Sequence, residues 1–358
     1  MKRLKNKKLD IIFAASIFAV VFSACMPGGS GNRMKKENHP PASIANDFAS
    51  VLENEAAFYC TYNIPYENRA VIHEYRDSLK DITFGEKPLN IQRFAVVDLD
   101  GNGVPEVVLE IDEYAGFVIL RYERSRVYGN IVGYRTMYCL KENGFFMSSS
   151  SSDEDGWNSL YFIGDTFITD NTLYRSPSAY YAEDRCIDEK LWWEMFDAFD
   201  EAEDVKWHDY SDGSIEKWIA QNPVFDLAMS EGCADEHQDY LDSLSYLIEM
   251  TYDYTKKTQE ERNASAKEYY TNCRKELDQI YQRCLEVLSE AETENLTADQ
   301  QEWEENFDSR MDAALNALQI DTSEKPEDES LYYTFGDMIL RRICRLADIY
   351  FSVTSVLS

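Results

Sequence analysis

The spacing of apolar residues changes near the middle of this 358-residue chain, and that change limits the fold more than any other feature. Between Phe94 and Ile163, β-branched, aromatic and leucine residues occur in short runs separated by turn signals such as Asn143-Gly144. Such runs predict strands, and the short turns favour an antiparallel meander. After Cys186, apolar residues recur every three or four positions, which predicts helices. We therefore expect an α+β chain, in which an N-terminal antiparallel β-meander with flanking helices is followed by an antiparallel α-helical bundle.

The same patterns give approximate boundaries. Two short helices are expected between Ile44 and Ile82, where apolar residues such as Tyr75 and Leu79 are four apart. Ser214 is the expected N-cap of a further helix. The domain boundary is expected near 215–225, with an α+β domain over 44–215 and a helical domain over 225–356. The predicted strands are 94–99, 104–111, 117–122, 137–140, 144–147 and 160–163, and the predicted long helices are 225–253, 258–291, 297–320 and 331–354.

The first 25 residues predict export and lipid attachment. Residues 2–8 include five basic residues, and an uncharged apolar run follows over 11–22. This is the layout of a signal peptide over residues 1–24, and the run is shorter than the ~20 residues that span a bilayer. The small residues before Cys25 resemble the lipobox of bacterial lipoproteins, which implies cleavage before Cys25 and its modification with diacylglycerol and an acyl group such as palmitate. The alternative is an ordinary secretory signal with an incidental cysteine.

Residues 25–43 are small, polar and proline-bearing, which predicts a flexible tether. The chain would then be held at the cell membrane on its extracellular face. The lysine-rich start favours a Gram-positive outer surface over a periplasm.

The net charge selects among partners. It is −31 for the whole chain, and becomes −35 when the basic leader is removed. Nucleic acids and anionic lipid surfaces would be repelled by this charge, whereas cations and basic proteins would be attracted. We therefore expect no nucleic-acid partner, and a basic protein such as lysozyme is the concrete candidate.

An acidic loop between two predicted strands is the sharpest chemical motif. Its oxygen-bearing side chains fall at positions 1, 3, 5 and 9 of the loop, a glycine at position 6 allows a sharp turn, and position 7 offers a carbonyl oxygen. Calcium takes six to eight such oxygens at about 2.3–2.6 Å. An EF-hand is excluded because its twelfth position, which needs a bidentate acid, is Leu109. The expected calcium ligands are Asp98, Asp100, Asn102, Val104 through its carbonyl, and Glu106.

The flanking strands make this loop resemble the FG-GAP-like (VCBS-like) calcium loops of surface proteins. One unit is present, over about 90–125, so a propeller is not implied. Three acidic side chains favour weak extracellular calcium binding, with a dissociation constant of ~10⁻⁴ to 10⁻³ M. The alternative is a metal-free hairpin turn, in which Asp and Asn cap backbone N–H groups.

The C-terminal region carries a second resemblance. Tyr270, Leu277 and Tyr281 are followed by Leu296, Gln300 and Trp303, each group at helical spacing. This pattern is similar to the family named after the lysozyme inhibitor LprI, over about 230–352, and the resemblance implies a helical domain and, in some members, lysozyme inhibition. Ser265 and Met311 stand where that family typically has cysteines, so a family-type disulfide is not expected. Gln300 is also placed to form a capping box with Thr297. The family-motif residues, which we interpret as structural, are Tyr270, Leu277, Tyr281, Leu296, Gln300 and Trp303.

No catalytic motif is evident in the sequence. The four histidines are isolated from one another, and the seven cysteines other than Cys25 include no CxxC pair, which argues against structural zinc. Trp192, Trp193, Trp207 and Trp218 suit either a glycan-binding groove or a core. We therefore expect a non-enzymatic, acidic surface binding protein. The alternatives are a lipoprotein that binds cell wall or glycan and, with no supporting motif, a hydrolase.

Overall fold

The computed structural model describes residues 42–62, 75–77, 79–81, 83–84, 87–88, 90–102, 104–111, 116–123, 126–149, 155–164, 166–176, 179–211, 234–251, 258–317 and 329–357. The expected signal peptide, Cys25 and most of the tether lie outside these residues. The expected domain boundary and the Ser214 N-cap lie outside them as well.

The described elements follow one another in a mixed order, which confirms the α+β class. The first half contains α1 and thirteen short strands among the described residues: α1 (Ala42–Leu52), β1 (Phe58–Tyr62), β2 (Tyr75–Asp77), β3 (Thr83–Phe84), β4 (Lys87–Pro88), β5 (Ile91–Val97), β6 (Glu106–Ile111), β7 (Phe117–Glu123), β8 (Arg126–Val132), β9 (Phe146–Ser149), β10 (Asp155–Ile163), β11 (Thr166–Ser176), β12 (Ala179–Ala182) and β13 (Arg185–Ile187). The remainder is mostly helical: α2 (Glu189–Asp200), β14 (His208–Asp209), α3 (Ala234–Ser243), α4 (Ser245–Met250), α5 (Gln259–Val287), α6 (Glu290–Ala317) and α7 (Glu329–Leu357).

Most of the described strands belong to two sheets. The large sheet has the order β14-β5-β6-β7-β8-β1-β2, and the small sheet has the order β13-β12-β11-β10-β9. The strands β5 to β8 pair with their sequence neighbours and are antiparallel, whereas β1 joins β8 in parallel. Every neighbouring pair in the small sheet is antiparallel.

Alternation of side chains along the strands builds a layered core. On one face of the large sheet, Val107 and Leu120 pack with Phe48 of α1. On the other face, Ala95, Val97, Val108 and Ile119 pack against the small sheet. The reverse of the small sheet meets the helices, where Tyr161 and Ile163 join the core of the helical region. The large sheet is therefore covered by a helix on one side and by the second sheet on the other.

The C-terminal helices pack together through one apolar core. Thr258 and Glu261 form a capping box that begins α5. Arg274 and Tyr281 of α5 contact Glu304 and Thr297 of α6, which sets these two helices antiparallel. The buried residues of α5 are Ala266, Tyr269, Cys273, Leu277, Ile280 and Cys284, and all of them except Ala266 belong to this core.

Helix α7 is tied to the small sheet by buried ion pairs. The Arg345 Nε donates to Asp170 Oδ2 at 3.0 Å, and the Arg341 Nη2 donates to Asp184 Oδ1 at 3.1 Å. The Asp184 side chain is 0% exposed, and Arg310 of α6 also donates to it. We call the contact formed by Asp170, Asp184, Arg310, Arg341 and Arg345 the sheet–helix seam.

The expectation of two helices between Ile44 and Ile82 is half wrong. The first helix is α1, but Tyr75 lies in β2 and Leu79 in a 3-10 turn over Leu79–Asp81. Tyr75 pairs with Cys60 of β1, so cross-strand pairing outweighs the local spacing of apolar residues.

Two further local expectations are corrected. The run 137–140 is not a strand, since Tyr138 makes an isolated bridge to Met147 and Cys139 has a φ of +48°. Thr297 lies inside α6 and does not cap it. Ser289 directly precedes α6, and its N–H and hydroxyl donate to the carboxylate of Glu292, which is one half of a capping box.

Candidate metal centre

The acidic loop joins β5 to β6 and brings three carboxylates together. One oxygen each from Asp98, Asp100 and Glu106 lies within 4.8 Å of the other two. Glu106 is the first residue of β6 and is 2% exposed, while Asp98 and Asp100 are half-buried. Across the described part of the chain, this is the one group of acidic, histidine or cysteine side chains close enough to hold a metal ion.

Short hydrogen bonds fix the shape of this loop. The Leu99 N–H donates to Glu106 Oε2 at 2.9 Å, which ties the two ends of the loop together. The Asn102 N–H donates to Asp100 Oδ1 at 3.2 Å, and the Val104 N–H donates to Asn102 Oδ1 at 2.6 Å. These are the local turns that Asp and Asn favour. Gly101 has a φ of +74°, which a residue with a Cβ adopts only with strain.

The turn at Asn143-Gly144 packs against the backbone of the acidic loop. Gly144 has a φ of +81°, and a Cβ added to it would lie 2.5 Å from the carbonyl oxygen of Asp98. The close approach of the two backbones therefore requires glycine. Asn143-Gly144 acts as a turn signal in the sequence, but its contact with the acidic loop has no local signature.

The carboxylates of the loop lie close together, and burial and this crowding of like charges raise the pKa values of Asp100 and Glu106. Burial raises the pKa of Asp100 well above its ordinary value, and the neighbouring Asp98 raises it further. Burial likewise raises the pKa of Glu106, with added contributions from Asp100 and Asp98. The guanidinium of Arg121 lowers both pKa values but does not reverse the shift. A divalent cation among these oxygens would reduce the repulsion, so the donor set suits a hard cation such as calcium.

The five expected ligands are not equivalent. Asp98, Asp100 and Glu106 converge on one point, as the sequence spacing predicts. Asn102 instead donates through Nδ2 to Asp100 Oδ2 at 2.9 Å, while its Oδ1 accepts from Val104. To offer its oxygen to a cation, Asn102 would have to release that backbone N–H. Gly103, the expected turn residue, lies outside the described residues.

The family-motif residues of the helical region lie in or beside its core. Leu277, Leu296 and Trp303 are buried, and Gln300 is 8% exposed and accepts a hydrogen bond from Arg342 Nε at 3.0 Å. Tyr270 and Tyr281 are half-buried. Tyr269, and not Tyr270, is the fully buried tyrosine of this helix, with its hydroxyl donating to Asp337 at 2.8 Å. Packing accounts for Leu277, Leu296 and Trp303, and a hydrogen bond accounts for Gln300, although the buried Trp303 Nε1 has no hydrogen-bond partner among the described residues.

A second polar cluster was not foreseen from the sequence. The Tyr161 hydroxyl donates to Asp348 Oδ2 at 2.7 Å, and the His237 Nε2 lies 3.3 Å from Asp348 Oδ1. Burial raises the pKa of Asp348 to about 7 and lowers the pKa of His237 to about 4. The three residues come from β10, α3 and α7 and are up to 187 positions apart, so no local pattern connects them. The His208 ring packs at a tilt against Phe94, and His39 and His73 lie outside the described residues.

Of the four tryptophans considered for a glycan-binding groove, Trp192 and Trp193 are in contact with each other, whereas Trp207 packs against Phe117. Trp192 is 1% exposed and donates to the Tyr174 carbonyl, and Trp207 is half-buried against Phe117. Trp193 is 41% exposed, and Trp218 lies outside the described residues.

The described cysteines are all free thiols. Cys139 and Cys186 are exposed, and Cys273, Cys284 and Cys344 are buried. The side chains of Cys25, Cys60 and Cys233 are not among those described.

No family model, curated protein or solved structure matches the chain. The two resemblances noted from the sequence are therefore carried only by the residues quoted for them. Among the helices that the structure describes, none has a stretch of the length and apolar character that a membrane crossing requires.

Proposed function

We propose that this protein is a lipid-anchored, acidic binding protein of the cell surface, with a β region stabilised by calcium and a helical region that contacts a basic partner. In this proposal the N-terminal β-meander holds the cation and the C-terminal antiparallel bundle provides the contact surface. The observation that carries the proposal is the convergence of Asp98, Asp100 and Glu106 within 4.8 Å. The role proposed is binding, not catalysis.

The chemistry of the loop supports calcium over softer metals. All of its side-chain donors are oxygens, which suit a hard cation that accepts irregular coordination. Because Glu106 and Asn102 already bind backbone N–H groups, part of the cation's binding energy would replace existing hydrogen bonds. We therefore propose weak binding, with a dissociation constant of ~10⁻⁴ to 10⁻³ M.

Isothermal titration of the purified full chain with calcium tests the site directly. Asp98→Asn with Asp100→Asn should abolish the binding heat, since two of the three clustered charges are removed. The matched control is Asp197→Asn with Glu201→Gln, which removes two exposed charges near the end of α2 and should leave binding unchanged. Equal binding by both double variants would show that calcium binds elsewhere on the acidic surface.

The anchor is proposed from Cys25 and the polar tether that follows it. Cys25→Ala should move the protein from the membrane fraction of its host to the soluble fraction or the medium. Recovery of the variant in the membrane fraction, in the same proportion as wild type, would contradict lipid attachment.

The basic partner is proposed from the charge of the chain and of α6. The one basic residue of this helix is Arg310, which is engaged by Asp184. The exposed acids of the same helix include Glu294, Glu302, Glu305, Asp308 and Asp312. A cationic cell-wall enzyme such as lysozyme fits this surface, and its binding should weaken steeply with salt because the attraction is electrostatic. Absence of lysozyme binding or inhibition at low ionic strength would exclude that partner.

A second candidate is binding of cell-wall glycan, favoured by one observation. Trp193 is 41% exposed, and its ring makes T-shaped contacts with Trp192 and Phe196. A rigid, exposed indole is a common stacking surface for sugars. Pull-down on peptidoglycan with wild type and Trp193→Ala tests this candidate, which requires retention of the wild type and loss of the variant.

A further inference from the structure

The outer surface of α2 is acidic and carries one exposed indole, that of Trp193. The inner side of this helix packs on the small sheet through Trp192, Phe196 and Phe199. The exposed acids on the helix or next to it are Asp188, Glu189, Glu194, Asp197, Asp200 and Glu201. The helix has one basic residue, Lys190, whose Nζ pairs with Glu194. A cationic ligand is therefore attracted to this surface, and an anionic ligand is repelled.

The ring of Trp193 rests on a fixed neighbour. Trp192 is 1% exposed and donates through Nε1 to the Tyr174 carbonyl at 3.0 Å. Its ring meets that of Trp193 at 89°, with 4.8 Å between the ring centres. The guanidinium carbon of Arg175 lies 5.9 Å from both ring centres, at the corner between the two indoles. The positive groups of a ligand stacked on Trp193 would therefore lie along the helix, beside its acids, and away from this corner.

Two carboxylates flank Trp193 along the helix. Glu189 precedes it by four residues, Asp197 follows it by four, and all three side chains are exposed. Residues four apart lie on the same face of a helix, with about 5–6 Å between their Cβ atoms. The Tyr180 hydroxyl donates to Glu189 Oε1 at 2.9 Å, which holds that carboxylate in place. We call Glu189, Trp193 and Asp197 the α2 stripe, because they set one apolar ring between two negative charges.

The α2 stripe fits a ligand whose rings and cationic groups repeat at about the length of one helical turn. A pyranose ring stacks on an indole through its C–H face. Each unit of a glucosamine polymer also carries an amine that is protonated at mildly acidic pH, whereas N-acetylation removes that charge. Trp193 is the one large exposed apolar residue of α2, so the apolar area matches a single sugar ring and not the clustered anchors of a protein–protein contact.

We propose that the α2 stripe binds a cationic amino glycan, a glucosamine polymer without N-acetyl groups. One sugar unit stacks on Trp193, and the amines of the units before and after it pair with Glu189 and Asp197. This inference rests on the second candidate function, glycan binding at Trp193, and adds the chemical class of the sugar. The site is distinct from the acidic surface of α6, because it combines charge with an exposed aromatic ring.

The first test is calorimetric titration of the full chain with two sugars, the glucosamine hexamer and the N-acetylglucosamine hexamer, at mildly acidic pH and low ionic strength. The two hexamers share their rings and linkages and differ in charge. The glucosamine hexamer should bind about tenfold more tightly, because the carboxylates and the acidic surface attract it alone. Added salt should remove most of that preference. Equal affinities for the two hexamers would overturn the inference.

The second test separates the ring from the charges. Trp193→Ala should weaken binding of the glucosamine hexamer by about tenfold, because stacking is lost. Glu189→Gln with Asp197→Asn should weaken it by about fivefold and leave binding of the N-acetylglucosamine hexamer within about twofold of wild type. The matched control, Asp308→Asn with Asp312→Asn, removes two exposed charges from α6 and should leave both affinities unchanged. Equal losses in the two double variants would show that the hexamer binds the acidic surface at large, which overturns the inference.

The outcomes distinguish the inference from the candidate function on which it rests. If wild type binds neither hexamer and is not retained on peptidoglycan, both are wrong. If peptidoglycan retains wild type through Trp193 but the glucosamine hexamer is not preferred, glycan binding stands and the amino-glycan preference is wrong. A third ligand, hexalysine, tests a basic peptide in place of a sugar. If hexalysine binds as tightly as the glucosamine hexamer and loses as much affinity with Trp193→Ala, the stripe recognises basic peptides and the inference is wrong.

Discussion

The acidic loop and the sheet–helix seam both gather carboxylates away from water, but they balance the charge in opposite ways. In the seam, Arg310, Arg341 and Arg345 surround Asp184 and hold its pKa below the ordinary value despite its burial. In the loop, Asp100 and Glu106 share the influence of Arg121, and their pKa values are nevertheless raised. Asp170 lies between these cases, because burial raises its pKa even though Arg345 lowers it. The seam therefore neutralises Asp184 from within the chain, whereas the loop retains an excess of negative charge that suits an external cation.

The largest expected effect is loss of the charge balance in the seam. Asp184→Asn removes a fully buried carboxylate and leaves three arginines without their shared partner, which should lower the free energy of unfolding by about 3–5 kcal/mol. Urea unfolding followed by tryptophan fluorescence measures this change. The exposed control Asp197→Asn should change stability by less than about 0.5 kcal/mol. A similar small change for Asp184→Asn would mean that the buried pairs contribute little net stability.

Calcium should stabilise the protein through the loop and not through the seam. With calcium at 10 to 100 times the dissociation constant, the free energy of unfolding should rise by about 1.4–2.7 kcal/mol. The melting temperature of wild type should therefore increase with calcium. Asp98→Ala with Asp100→Ala should remove the increase, whereas the seam variant Asp184→Asn should retain it. Equal melting of wild type in calcium and in chelator would refute the loop as a calcium site.

Gly101 and Gly144 allow two effects on the acidic loop to be separated. One is strain in the backbone of the loop, and the other is the contact that the neighbouring turn makes with the loop. Gly101→Ala and Gly144→Ala both place a side chain at positive φ, which costs about 1–2 kcal/mol. The alanine Cβ meets nothing within 4 Å at Gly101, but at Gly144 it would lie 2.5 Å from the Asp98 carbonyl. Gly144→Ala should therefore destabilise the protein more than Gly101→Ala and also weaken calcium binding. Equal unfolding free energies for the two variants would show that the turn at Gly144 moves to accept the new Cβ without disturbing the acidic loop.

The acidic loop could be predicted from the sequence, whereas the sheet–helix seam could not. The loop carboxylates are within nine positions of one another, so their spacing and the flanking strand patterns were enough to predict that they converge. The period of the apolar residues likewise predicted the α+β class and long C-terminal helices. The seam joins Asp170 to Arg345 across 175 positions, and nothing in either local pattern selects that partner. The contact of Gly144 with Asp98 and the pairing of Tyr75 with Cys60 are similarly products of tertiary packing.

Asp348 is a half-buried carboxylate that differs from both regions in having a histidine and a tyrosine as neighbours. Tyr161 of β10, His237 of α3, Asp170 of β11 and Arg345 of its own helix face it. Burial raises its pKa to about 7 in the folded protein, against about 3.9 in an unfolded chain. Between these values the folded state retains a proton that the unfolded state has lost. The contribution of Asp348 to stability therefore declines as the pH rises from about 4 to about 7.

Asp348→Asn should remove this dependence while keeping an oxygen that accepts from Tyr161. The quantity to measure is the unfolding free energy of wild type minus that of the variant, from urea titrations at intervals between pH 4 and pH 8. It should fall as the pH rises and level off above pH 7. His237 acts in the opposite direction, since its lowered pKa costs stability as the pH falls from about 6.5 to about 4. Because both proteins retain His237, most of its effect cancels in the difference. A difference that is flat across this range would mean that Asp348 is ionised in the folded state, paired with a protonated His237 in the manner of the seam.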